Sequence, residues 1–253
     1  MNLRDRCAIV TGSGSGAGRA IAQRLAALGA IVIVTDIDRL KASDTADQMA
    51  TKGYRCHWLQ ADASNWADIM RMISFAEEQS GGLAVLVNNA GGGGDKPPHF
   101  PKADPGIWEA KVELNLLGPM RSTQAALQVM EPRGEGAIVN VASTAGLGLN
   151  AYVSPEYAAS KAGLIRFTSC FADPSRRVRV SCLVPGWIAT ERALIELDAM
   201  SVAERAEADI PASLDAVADA IVTLIQDKSL SGRALVIQGN QPPRILDRFP
   251  DQP

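Results

Sequence analysis

The chain has 253 residues, long enough to bury a sizeable core as one domain, and its 47% hydrophobic content excludes a disordered protein. Twenty-five basic against 28 acidic residues leave a net charge of −3, without the basic surplus that nucleic-acid binding requires. Two histidines without metal-ligand spacing and four cysteines without a Cys-x-x-Cys pair argue against a metal site, a Ser-His-Asp triad or a disulfide framework.

Cys7 to Val10 reads as a short apolar strand, and Thr11-Gly-Ser-Gly-Ser-Gly16-Ala-Gly18 follows it at once. A helix comes next, with Ile21, Leu25 and Leu28 on one face and Gly29 as its stop. Strand, glycine-rich turn and helix is the setting in which backbone amides and a helix N-terminus accept a pyrophosphate. Ile31 to Val34 forms the next buried strand, closed by Asp36, eighteen positions after Gly18. A carboxylate there accepts ribose hydroxyls and repels a 2′-phosphate, so NAD is favoured over NADP. Asp38 adds to that negative field and Arg39 opposes it; the alternative is that Asp36 merely caps a helix.

Arg55 to Gln60 is a third strand, with His57 a packed or surface ring, and it leads to Asp62, which meets an adenine or begins a turn. Ile69, Met72, Ile73 and Ala76 then mark an amphipathic helix. Leu83 to Val87 runs into Asn88-Asn-Ala-Gly91-Gly-Gly-Gly94, and 95–105 is a proline-rich surface loop that helps wall a pocket. Trp108, Val112, Leu116 and Met120 predict a long helix containing Asn115 and bent at Gly118-Pro119. Gly136 to Ser143 is the fifth strand, with Ser143 at its carboxyl end and Thr144 as a second hydroxyl. Ser154-Pro155 opens a helix that places Tyr157 and Lys161 on one face. An ammonium beside a phenol draws its pKa down from about 10 toward neutrality, which creates a general acid–base. Tyr152 is the decoy, because Glu156 stands where its lysine is needed. Arg176, Arg177 and Arg179 are expected to be solvated where this helix gives way to the sixth strand, Val178 to Val184. Ser213 to Gln226 is amphipathic, and Ala234 to Ile237 is the last strand. The cysteines are expected as buried free thiols. Neither a signal peptide nor a membrane-length apolar run is read, which sets a cytoplasmic expectation.

Thr11-Gly12-x-x-x-Gly16-x-Gly18, Asn88-Asn-Ala-Gly91, Asn115, Ser143 and Tyr157-x-x-x-Lys161, in that order and spacing, resemble the short-chain dehydrogenase/reductase family. The resemblance covers residues 6–190, with the hydrophobic pattern extending it to about 238. It implies a Rossmann-type, doubly wound α/β domain spanning 1–253, with a mostly parallel sheet of about seven strands and helices on both faces. It also implies hydride transfer between a secondary alcohol or ketone and the nicotinamide. Tyr157 would move the proton, Lys161 would lower its pKa and hold the ribose, Ser143 would fix the substrate oxygen, and Asn115 would distort its helix and hold a relay water. The implied cofactor contacts are Gly12, Ser15, Gly16, Ala17 and Gly18 in the first turn, and Asp36 with Ile37 after the second strand. Asp62, Ala63, Asn89, Ala90 and Gly91 follow, then Tyr157, Lys161, Pro185, Gly186, Ile188 and Thr190.

Residues 190–211 correspond to the family's substrate lid. Leu194, Ile195, Leu197 and Met200 suit either a hydrophobic substrate or a helix seated on the core. The long helices at about 107–130 and 154–172 imply a homodimer or homotetramer. Two departures are Gln238-Gly-Asn-Gln in place of an Asp-Gly-Gly turn and a segment from Lys161 to Val178 about one residue short. The rival class is a dinucleotide-binding sensor or scaffold without turnover.

Overall fold

A computed structural model describes residues 1–93, 97–148, 151–201, 204–205, 208–239 and 241–246. Short apolar runs bounded by glycine or turn residues become strands: β1 (Cys7–Thr11), β2 (Ile31–Asp36), β3 (Cys56–Gln60) and β4 (Leu83–Asn88). They are followed by β5 (Gly136–Val141), β6 (Val178–Pro185), β7 (Ala234–Ile237) and β8 (Arg244–Ile245). The sheet order is β3-β2-β1-β4-β5-β6-β7-β8, parallel throughout except for the antiparallel β7–β8 pair. The strand order reverses between β1 and β4, where open α/β sheets leave a crevice at their carboxyl ends.

The helices are α1 (Gly16–Ala27), α2 (Arg39–Thr51), α3 (Trp66–Ser80), α4 (Pro105–Val112), α5 (Gly118–Met130) and α6 (Pro155–Ser169). After β6 come α7 (Glu191–Ala199) and α8 (Leu214–Gln226). Strand side chains alternate between two cores. Ala8, Val10, Val32, Val34, Val85 and Val139 pack on one face with Ile21 and Leu25 of α1, Met49 of α2 and Ile221 of α8. Ile9, Ile33, Leu86 and Ile138 pack on the other with Ile69, Met72 and Ile73 of α3 and Met130 of α5. Each fully buried Ile or Leu contributes about 1.5–3 kcal/mol, so both faces have to be covered.

Several sequence expectations need correction. Leu28 is exposed at the end of α1, because Ile21, Ala22, Leu25 and Ala26 already fill the inward face. The mostly parallel sheet of about seven strands is found, with β8, only two residues long, as an eighth among the described residues. Arg179 is buried rather than solvated, since it lies within β6. Its guanidinium donates to the carbonyls of Leu224 (3.3 Å), Ile225 (2.6 Å) and Asp227 (3.1 Å) and so closes the C-terminus of α8. Cys7 and Cys182 are buried thiols as expected, whereas Cys56 is half-buried and Cys170 exposed. Gly94, residues 95–96 of the proline-rich loop, residues 202–203 and 206–207 of the lid, and Asn240 lie outside the described residues.

The helix expected through Asn115 is interrupted by a π turn at Glu113–Leu117. Pro119 cannot donate to the carbonyl four residues back, and a π turn immediately before it absorbs the mismatch. The irregularity therefore falls on Asn115, where the family resemblance puts a distortion, and ahead of the bend expected at Gly118-Pro119. Gly118 serves a separate purpose: a Cβ there would lie 2.5 Å from the Ala63 carbonyl oxygen, so the helix approaches the β3–α3 loop backbone to backbone.

Candidate active site

The β1–α1 turn is built by glycine and clamped by Asn89. Gly12 and Gly16 take φ of +62° and +51°, in the left-handed region that side chains resist. Asn89 Nδ2 donates to the carbonyls of Thr11 (2.9 Å) and Gly12 (3.2 Å), while Thr11 Oγ1 accepts from the amides of Asn89 and Ala90, both at 3.0 Å. Ser15, the residue before α1, makes no side-chain cap, which leaves the first amides of the helix without that partner. Such a cradle suits a diphosphate. Gly18 is the tightest point, since a Cβ there would lie 2.1 Å from the Gly12 carbonyl oxygen and 2.6 Å from Asn89 Nδ2. Gly18→Ala is expected to cost about 3 kcal/mol, at the upper end for overpacking, and to weaken binding of a dinucleotide at least about tenfold. Urea denaturation and a fluorescence titration check this; unchanged values in both would mean that the turn opens freely.

Asp36 lies half-buried at the end of β2, where its carboxylate accepts from the amides of Gly14 and Asp38, both at 3.0 Å. Asp38, not Asp36, caps α2, accepting from Leu40 and Lys41. Arg39 stacks its guanidinium over Trp58, 5.6 Å from the ring centroid. Ile37 is 65% exposed beside this carboxylate. Asp62 accepts from the amide and hydroxyl of Ser64 (2.8 and 2.7 Å), so the carboxylate forms a turn, and Ala63 lies half-buried beneath Gly118. After β6, the Gly186 amide donates to Ile237 (2.8 Å), Pro185 ends the strand and Ile188 bridges to Ala212. Thr190 caps α7 through Ala193, and its methyl group would lie 3.3 Å from a Cβ at Gly16. The loop after β6 thus meets the glycine turn, as a shared cofactor site requires.

The second half of the site lies beyond β4 and β5. Lys161 is 3% exposed, and its Nζ donates to the Val141 carbonyl at 3.0 Å. It sits 5.6 Å from the centroid of the half-buried Tyr157 ring. Burial pulls its ammonium down to about 8, only partly offset by the Cys182 thiol. Asn115 is fully buried; its Nδ2 donates to the carbonyls of Gly92 (3.0 Å) and Lys111 (2.9 Å), and its Oδ1 accepts from the Gly92 amide (3.0 Å). A Cβ on Gly91 would fall 2.8 Å from Asn115 Oδ1 and 3.1 Å from Lys161 Nζ, so these groups converge on one point. Ser143 stands two residues beyond the end of β5 and caps the short 3₁₀ turn Thr144–Gly146 by accepting from Ala145 (3.1 Å). Gly146 lies hard against the α6 backbone at Lys161 and Ala162, which sets Ser143 relative to α6. Tyr152 stacks on Tyr157, with centroids 6.2 Å apart and planes at 27°.

Sequence reasoning missed a buried charge cluster beside this helix. Lys111 Nζ lies 2.7 Å from Glu156 Oε1, and His99 Nδ1 is 3.1 Å from that ammonium and 3.4 Å from the carboxylate. Three residues from separate segments give no local pattern, although a lysine one turn before Asn115 in an otherwise apolar stripe was a signal. Among the described residues, no three His, Cys, Asp or Glu side chains gather as metal ligands, and no helix is long and apolar enough to cross a membrane.

A Rossmann-type sheet with a glycine cradle at its crossover and a tyrosine beside a buried lysine defines a nucleotide-dependent α/β protein. Residues 6–197 match the short chain dehydrogenase family. The chain belongs to the short-chain dehydrogenase/reductase family and is an NAD(P)-dependent oxidoreductase of alcohol- or ketone-type substrates. It is 32% identical over 247 residues to a subunit of a hydroxy(phenyl)methylsuccinyl-CoA dehydrogenase of Thauera aromatica, covering 95% of this chain and 98% of that one. It is 36% identical over 193 residues to the D-beta-hydroxybutyrate dehydrogenase of Cupriavidus necator, covering 74% and 72%. A crystal structure of a short-chain dehydrogenase/reductase from Burkholderia xenovorans superposes with a TM-score of 0.83 at 30% identity, covering 94% of this chain and 97% of that one.

Proposed function

We propose that this enzyme oxidises a secondary alcohol to a ketone, reversibly, with NAD. The observation that carries this reading is the buried Lys161 ammonium, 5.6 Å from the Tyr157 ring at the carboxyl edge of the sheet. Tyr157 takes the hydroxyl proton in oxidation and returns it in reduction. Lys161 stabilises the phenolate, Ser143 positions the substrate oxygen and Asn115, which anchors Gly92, holds the proton path in place. A bound nicotinamide supplies the hydride acceptor or donor. The cradle at Gly12, Gly16 and Gly18 fits its diphosphate, and Asp36 fits the adenosine ribose. That Thauera and Cupriavidus relatives are dehydrogenases by name supports the oxidative direction.

Asp36 supports NAD over NADP, because its fixed carboxylate repels a 2′-phosphate while Arg39 is held on Trp58. NADH is expected to bind at least about tenfold more tightly than NADPH, a gap of about 1.4 kcal/mol, and Asp36→Asn should narrow it. Parallel calorimetric titrations decide the matter. Tighter NADPH binding would overturn the ribose argument, and binding of neither would favour the scaffold alternative. Residues 190–211 act as a lid in this reading: α7 buries only Ala193, and Leu194, Ile195 and Ile210 are exposed, which favours an apolar cover over a helix seated on the core. A groove of about 540 Å³ between α5 and α6, lined by Leu117, Met120, Leu127, Phe167 and Phe171, supports pairing of these helices in a homodimer or homotetramer.

A further inference from the structure

Lys111 joins segments far apart in the chain. Its backbone carbonyl accepts from Asn115 Nδ2 at 2.9 Å. Its aliphatic stem passes 3.8–4.0 Å from where a Cβ on Gly93 would lie. Its ammonium reaches Glu156 Oε1 (2.7 Å), His99 Nδ1 (3.1 Å) and the Pro98 carbonyl (3.4 Å). The Lys111 and His99 side chains are 11% exposed and that of Glu156 is 3% exposed. The α4 helix, the proline-rich loop and the first turn of α6 are thereby tied together, and Glu156 directly precedes Tyr157.

The cluster holds a true ion pair. Burial pushes the Glu156 carboxyl up, but the bond from Lys111, its own backbone amide and the Lys111 charge outweigh this and hold it at about 2. Ser154 also favours the ionised form by proximity, although neither Ser154 Oγ nor Glu156 Oε2 completes a well-formed hydrogen bond. A buried pair of this kind adds little net stability, because desolvation offsets the attraction, whereas losing one partner strands a charge. What the pair does supply is a defined geometry between the two elements that carry it.

We propose that Lys111 is a positioning residue: through Glu156 and His99 it fixes residues 97–104 against the first turn of α6, and so sets Tyr157 relative to the substrate wall. This rests on the role given to Tyr157 above. Amide hydrogen exchange on the full-length protein tests the tie without any substrate. Lys111→Met is expected to speed exchange about tenfold or more in 97–104 and 155–158, while β5 and β6 stay within about twofold. Lys111→Arg, which keeps the charge, should restore protection, and NADH affinity should not change in either variant. With cyclohexanol and NAD as the probe pair, Lys111→Met should raise KM about tenfold and leave kcat within about threefold. Unchanged exchange in Lys111→Met, or acceleration spread evenly through the sheet, would overturn the proposal even if the enzyme turns over. Tyr157→Phe separates the two readings: it should leave exchange as in the wild type, so its effect on turnover bears only on the reaction.

Discussion

Tyr157→Phe is expected to lower turnover of an alcohol with NAD about a thousandfold and to leave the dissociation constant of NADH within about twofold, since general acid–base catalysis contributes roughly 10²–10⁴. The exchange removes one oxygen and keeps the ring, so the stacking on Tyr152 and the 5.6 Å approach of Lys161 survive. The glycine cradle and Asp36 lie on other elements, so of the implied cofactor contacts only the one at Tyr157 itself is altered. Only the proton path is lost. Ser143 is a poor replacement, because an aliphatic hydroxyl is a far weaker acid than a phenol and its oxygen already accepts from the Ala145 amide. Stopped-flow measurement of NADH formation with saturating NAD is the direct check. Residual turnover within about tenfold of the wild type would rule out the phenol as the proton-transfer group.

What the sequence disclosed and what it hid divide along a physical line. Features set by neighbours in the chain were legible. Strand, glycine turn and helix at 7–27 needed only local pattern, and Tyr157 and Lys161 needed only the helical repeat. The end of β5 was read two residues too far, because Ala142 is as buried as the strand before it and apolar character alone does not mark where pairing stops. The family resemblance puts a distortion at Asn115, where the π turn lies, whereas the local pattern points only to Gly118-Pro119, since a helical stripe does not show where one extra residue is inserted. Strand β8 has only two residues, both exposed, and exists through its pairing with β7. Arg179 looked like part of a basic run until the carbonyl ends of α8, some 45 residues on, were brought to it. The same holds for His99, Lys111 and Glu156. Long-range partners were invisible to any window on the chain, and these are the contacts that set the site's geometry.

Lys161→Met should be the second large effect, and pH makes it diagnostic. In the folded protein burial holds this lysine at about 8 against an ordinary 10.5. A depressed lysine means that the unfolded chain binds more protons than the folded one between those two values. Stability of the protein without cofactor should therefore rise with pH across that window, whereas below pH 8 the full cost of burying the ammonium is present. Lys161→Met should lack that rise, although it also leaves the Val141 carbonyl without its 3.0 Å partner. For the reaction the consequence runs through Tyr157. Without the ammonium the phenol moves back toward an ordinary value of about 10, and the positive nicotinamide offsets only part of that shift. Oxidation at pH 7 should fall by about 10²–10³, and the variant should recover as pH approaches 10, where hydroxide removes the phenolic proton unaided. The ascending limb of log kcat against pH should thus move up by about two units, with the macroscopic values belonging to the Tyr157–Lys161 pair rather than to either residue. A variant whose rate is uniformly low, with its limb unmoved, would show that Lys161 acts by holding the cofactor and not by tuning the phenol.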